Sequence, residues 1–221
     1  MAKVLFAACL AGGLALSGMA SAQTAATDPD APVGKAANTI MIRLRGIGVL
    51  PQDSSSSIST IGGNVNASNS AAPEVDFSYF FTDHIAAELI AATTRHEISA
   101  SNTSLGRVDV GSVWVLPPTL TLQYHFMPHE RFSPYVGAGL NATFFYDAHP
   151  AGGAVTSLGF SDNVGAAIQA GFDYNFIGHW FANFDVKQIF VNTDASLNNG
   201  AIHAKTALNP TVIGAGIGYR F

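Results

Sequence analysis

From residue 210 to the last residue the chain alternates, with Thr211, Ile213, Ala215, Ile217, Tyr219 and Phe221 on one side and Val212, Gly214, Gly216, Gly218 and Arg220 on the other. Only an extended strand gives that period. A glycine-rich strand with one apolar face needs a partner for its free edge inside the fold. The same alternation recurs in seven earlier segments, so strands are expected over residues 39–50, 74–81, 85–94, 110–126, 134–146, 163–176 and 180–191. In the first, Ile40, Ile42 and Leu44 oppose Met41, Arg43 and Arg45; in the second, Val75, Phe77, Tyr79 and Phe81 oppose Glu74, Asp76 and Ser78. Further on, Glu88, Asp173, Asp185 and Lys187 each lie on the face opposite the apolar set of their strand.

The connections alternate as strictly as the side chains. Residues 51–73, 95–109, 147–162 and 192–209 are expected to be long polar loops; 82–84, 127–133 and 177–179 are short turns. In an up-and-down antiparallel order, all long loops then fall at one end and all short turns at the other, the arrangement of transmembrane barrels. Aromatics gather near the short turns (Phe80, Phe81, Phe126, Phe132, Tyr174, Phe176, Trp180, Phe181, Tyr219, Phe221), as an interfacial girdle requires. Bilayer hydrocarbon leaves no unpaired backbone group satisfied, so residues 210–221 must close against residues 39–50. The fold expected is all-β: an eight-stranded antiparallel up-and-down transmembrane barrel. A soluble lipocalin-like barrel has its apolar face inward, and here that would put the charges outside and the aromatics within.

Composition agrees. The 221 residues are 48% hydrophobic and 11% charged, with mean hydropathy +0.26 and no internal apolar run long enough for a membrane helix. Lys3, the apolar run of residues 4–16 and Ala20-Ser21-Ala22 form a signal-peptide pattern, so residues 1–22 are expected to be cleaved after Ala22. Residues 23–38, rich in Ala, Pro and Asp, are expected to be a flexible arm, and residues 39–221 the barrel. Cys9, the one cysteine, leaves with the leader, which removes disulfides and cysteine chemistry. The mature chain holds nine Lys and Arg against fifteen Asp and Glu, a net charge of −6, which gives nucleic acid no footing.

Four segments resemble the OmpW family of outer-membrane proteins: FSYFFTDHIAAELIAAT (residues 77–93), LPPTLTLQYHF (116–126), FSPYVGAGLNATFF (132–145) and the ending GIGYRF (216–221). The resemblance implies a narrow barrel, apolar above and blocked near the periplasm, that takes up or binds small hydrophobic solutes. It also implies that some members are receptors for phage or bacteriocins, and that Tyr219 and Phe221 form a signal read by the barrel-assembly machinery. Outer-membrane lipid and lipopolysaccharide are the expected surroundings.

Counted up from the short turns, Arg43, Arg45, Asp76, Glu88, Asp185 and Lys187 lie at similar height, with Asp173 slightly lower. Side chains fill the interior of an eight-stranded barrel, so these charges are expected to form a belt across the lumen that shuts its lower half. Higher up, Leu116, Pro117 and Pro118 interrupt the fourth strand, since proline supplies no ladder donor. With Trp114 they are expected to line a ligand channel and weaken the wall, so that a solute leaves sideways into the membrane. The alternative is a non-transporting barrel that stabilises the envelope and binds partners through its loops. No cofactor, metal or catalytic group is expected. None of the seven histidines has H-E-x-x-H spacing, and none is followed two residues later by serine, as a lipid A deacylase would need. Gly137, Gly139, Gly214, Gly216 and Gly218 lack the strand–turn–helix setting of a phosphate loop and are expected to provide space inside the barrel.

Overall fold

A computed structural model describes residues 34–52, 55–59, 62–153 and 155–221. The expected signal peptide and residues 23–33 of the expected arm lie outside these. The barrel is built from β1 (Ile40–Leu50), β2 (Ser70–Phe80), β3 (Ile85–Ala92), β4 (Thr119–His125), β5 (Phe132–Pro150), β6 (Asn163–Ile177), β7 (Trp180–Phe190) and β8 (Thr211–Arg220). Each pairs with the next in antiparallel register. The ring closes where β8 meets β1, from Met41 opposite Arg220 to Leu50 opposite Thr211. Eight strands with every edge paired leave no free backbone for lipid to face.

The pleat sorts the side chains as the alternation requires. Leu44, Val75, Leu89, Leu120, Leu140, Ile168 and Ile217 stand exposed on the outer wall, while Arg43, Asp76, Glu88, Thr121, Gln169 and Asp185 are buried within. On β8, Ile213 is 40% exposed and Val212 7%. Ile213→Arg is therefore expected to cost about 2–4 kcal/mol, as an arginine in the lipid-facing band does, and Val212→Thr clearly less. Urea titrations in lipid vesicles, read by heat-modified gel mobility, compare the two; equal losses would overturn the facing.

Three expectations need correction. The long polar loops are largely strand, because their small polar side chains continue the alternation. Thr94–Thr103 pairs with Gly106–Leu116, and that strand with the upper end of β5; Asn64–Ala67 adds to the same sheet. Opposite it, Leu158–Phe160, Asn192–Leu197, Ile202–Ala207 and Ser55–Ile58 form a second sheet. Val65, Ile98, Ala100, Val110 and Val113 pack between the two sheets against Ala195, Leu197 and Ala204. An apolar core thus continues above the barrel, and hydrophobic burial holds the hairpins together. Second, Phe80 and Phe181 do not belong to the girdle. Both are fully buried and pack with Met41 and Ala86 at the base of the lumen, where Gly218 leaves room for the Phe181 ring: a Cβ there would collide with it. The other aromatics of the expected girdle are exposed or partly so. Third, the end of the expected flexible arm is docked: Lys35 N–H donates to the Pro128 carbonyl at 2.7 Å, and its side chain is buried.

Candidate functional site: a charged belt beneath an apolar cavity

The lower lumen is filled by ion pairs that register places face to face. Arg43 lies opposite Asp76 and Arg45 opposite Glu74 across β1 and β2. Arg43 Nη1 reaches Asp76 Oδ1 at 2.8 Å and donates to Ser78 Oγ at 2.7 Å; Nη2 reaches Asp173 Oδ2 at 3.1 Å across the barrel. Arg45 Nη2 lies 2.6 Å from Glu74 Oε1 and 3.2 Å from Asp76 Oδ2. Both guanidinium groups come within 3.4 Å of Glu88 Oε1, whose second oxygen accepts from Gln169 at 2.9 Å. Lys187 Nζ donates to Asp185 Oδ1 at 2.8 Å, and the Tyr135 hydroxyl to Asp185 Oδ2 at 2.9 Å. All seven residues expected in the belt are buried and all take part.

The network is larger than the alternation suggested. Glu74 was legible as an inward carboxylate on β2, but its pairing with Arg45 depends on register. Lys35 carried no periodic signal. Its ammonium lies 2.8 Å from Asp173 Oδ2 and 2.8 Å from His125 Nδ1, and donates to Ser133 Oγ at 2.7 Å. Arg220 also reaches inward, its guanidinium carbon 5.6 Å from the centre of the Phe181 ring. The buried charges thus number five cations (Lys35, Arg43, Arg45, Lys187, Arg220) and five anions (Glu74, Asp76, Glu88, Asp173, Asp185) among the described residues. Their balance is what makes such a core tolerable in a low-dielectric interior.

Above the belt the lining turns apolar. A narrow cavity, in which the centre of a water-sized sphere has about 80 Å³ to move, is walled by Ile47, Val49, Ile189, Val191 and Val212 on one side and Ile90, Val113, Val115 and Pro117 on the other; Glu74 and Lys187 border it from below. Higher still, a second apolar space between the hairpin sheets shares Val65, Ile98 and Phe160 with the first. His96 borders the lower cavity and hydrogen bonds through Nδ1 to the Ser68 carbonyl oxygen at 2.7 Å. Burial lowers its pKa below the usual imidazole value, against the opposing pull of that carbonyl, so the ring adds no charge there at neutral pH.

Of the four expected channel residues, only Pro117 lines the cavity. Trp114, Leu116 and Pro118 are on the outer face, where Trp114 stacks on Tyr146 at 6.3 Å and Leu116 is exposed. The prolines break the strand without shifting its phase: Leu116 pairs with Phe144 and Thr119 with Asn141 in one continuous register. The inward series therefore runs Val113, Val115, Pro117, Thr119. Tyr219 and Phe221 lie at the lower rim, their rings edge to face at 4.9 Å, and Phe221 N–H donates to the Ile40 carbonyl at 2.8 Å.

A closed eight-stranded wall with an apolar outer band, sealed charges below and raised hairpins above defines an outer-membrane β-barrel. The chain belongs to the OmpW family, whose pattern matches residues 36–221. It is 48% identical to outer-membrane protein y4mB of Sinorhizobium fredii, over 81% of this chain and 79% of that protein. To Outer membrane protein W of Vibrio cholerae it is 37% identical, over 78% and 84%. The crystal structure of OprG from Pseudomonas aeruginosa superposes with a TM-score of 0.79 at 30% identity, covering 85% of this chain and 98% of that one.

Proposed function

We infer that the protein admits small hydrophobic molecules between its raised hairpins, holds them in the apolar cavity and releases them sideways into the membrane. The observation that carries this reading is the apolar cavity closed below by the belt and bordered by a wall without ladder bonds. Between β3 and β4 the pairing stops at Ile90 opposite Thr119 and resumes only at Thr94 opposite Val115. Across that interval no backbone hydrogen bond joins residues 91–93 to Pro117 or Pro118 among the described residues. Proline has no N–H to give, and the Thr93 hydroxyl supplies a single bond, to the Val115 carbonyl at 3.3 Å. Ala92 and Pro117 face each other across this seam and both line the cavity. An aqueous pore would need neither the seam nor the apolar lining. Tyr219 and Phe221 are read as the signal by which the assembly machinery takes up the last strand.

Pro117→Val with Pro118→Val restores both donors. In reconstituted vesicles the double variant is expected to lower flux of an apolar fluorescent tracer several-fold while heat-modified mobility stays that of a folded barrel. Tracer flux unchanged in the sealed variant but abolished by blocking the periplasmic end would show a route straight through the barrel.

A further inference from the structure

The cavity's lower border carries two polar groups with unused capacity. Lys187 is 3% exposed, and its ammonium has three donors, of which one reaches Asp185. It makes no other hydrogen bond among the described residues. Glu74 is 4% exposed; Arg45 donates from Nε and lies close through Nη2, both at Oε1, and Oε2 accepts nothing among the described residues. Both side chains border the same cavity, whose wall above them is mostly apolar, with His96 and several threonines among the lining residues. A polar group turned to an apolar space gains from a partner that completes its hydrogen bonding.

We propose that this floor is a head-group seat, and that the cavity takes single-chain molecules bearing a neutral terminal hydroxyl, seated head down. The inference rests on the reading of the cavity as an apolar-solute site and names what that site selects. A hydroxyl oxygen accepts from the Lys187 ammonium while its proton goes to Glu74 Oε2, and the alkyl chain runs upward past Ile189, Val191 and Val212. A carboxylate is disfavoured. The ten buried charges already cancel, and an eleventh would be an uncompensated ion in a low-dielectric interior. A plain alkane fits the wall but leaves the two floor groups unmatched.

The test uses the full mature chain in lipid nanodiscs and three ten-carbon probes: decane, 1-decanol and decanoate. Each competes against a fluorescent apolar tracer, and each affinity is corrected for partitioning into protein-free discs. 1-Decanol is expected to displace the tracer roughly tenfold better than either other probe, the size of one hydrogen bond to a charged group. Lys187→Met combined with Asp185→Asn removes both members of the pair and keeps the charge balance; the alcohol-to-alkane ratio is expected to fall to about one. Should that variant fail to fold, nitrogen-15 and carbon-13 labels decide, since a seated alcohol gives a through-space contact between its terminal carbon and Lys187 Nζ in the wild-type protein. Equal displacement by decanol and decane with no such contact overturns the head-group seat and leaves the apolar site standing. No displacement by any probe overturns the site itself.

Discussion

Arg43→Met is expected to lower the stability of the barrel by about 3–5 kcal/mol, the usual result of removing one partner from a buried charge network. Arg43 is fully buried and is held by Asp76, Ser78 and Asp173, with its guanidinium carbon 5.4 Å from the centre of the Phe181 ring and 5.9 Å from that of Tyr135. It sits mid-strand, so its loss strands two carboxylates that cannot move to water. Asp76→Asn alone is expected to cost less, and the double replacement less than the sum of the singles, because each then removes part of the other's penalty. Urea unfolding in vesicles, followed on unboiled gels, gives all three values. The double variant should also raise small-ion conductance, since the belt is what occupies the lower lumen. A loss below about 1 kcal/mol for Arg43→Met, the scale of an exposed pair, would mean that the belt does not hold the interior together.

Lys35→Glu is expected to do the opposite: little loss of barrel stability and a clear rise in conductance. The arm residue faces Asp173 at 2.8 Å, so a carboxylate there is repelled. Unlike a strand residue it can leave, taking the segment docked at Pro128 with it. Asp173 keeps Arg43. Planar-bilayer recordings compare wild type and variant; equal conductance would show that the arm seals nothing. Burial lowers the Lys35 pKa from 10.5 to about 8, with Asp173 opposing. Between those values the docked arm binds fewer protons than the free arm, so docking strengthens as pH rises through that window and any leak should shrink.

The barrel was legible because lipid enforces the alternation: Leu120, Leu122 and Tyr124 must face hydrocarbon, and Thr121 and Gln123 must not. Above the membrane that pressure ends. Thr94, His96, Ile98 and Ala100 are buried in strand order, yet as a series they read as neither apolar nor polar, and the segment looked like loop. The channel error has another cause. Carrying the period of residues 120–126 back through the prolines gives Pro117, Val115 and Val113 as the inward series; the channel was expected from the interruption of the strand and not from its period, and Trp114, Leu116 and Pro118 fall on the other face. The Lys35 seat was beyond reach of any local pattern, since His125, Ser133 and Asp173 come from the adjacent strands β4, β5 and β6, and Lys35, ahead of β1, reaches them only across the closed ring.

The direct opposition of Arg43 to Asp76 and Arg45 to Glu74 bears on how the chain enters the bilayer. Both pairs belong to one hairpin, β1 with β2, so the most highly charged part of the wall is neutral as soon as that hairpin zips. Asp185 and Lys187, two residues apart on one face of β7, cancel within a single strand. These six charges can therefore be delivered into the membrane already matched, before the ring is complete. The free energy of ion burial is then spread over successive hairpins and does not fall entirely on the moment when β8 joins β1.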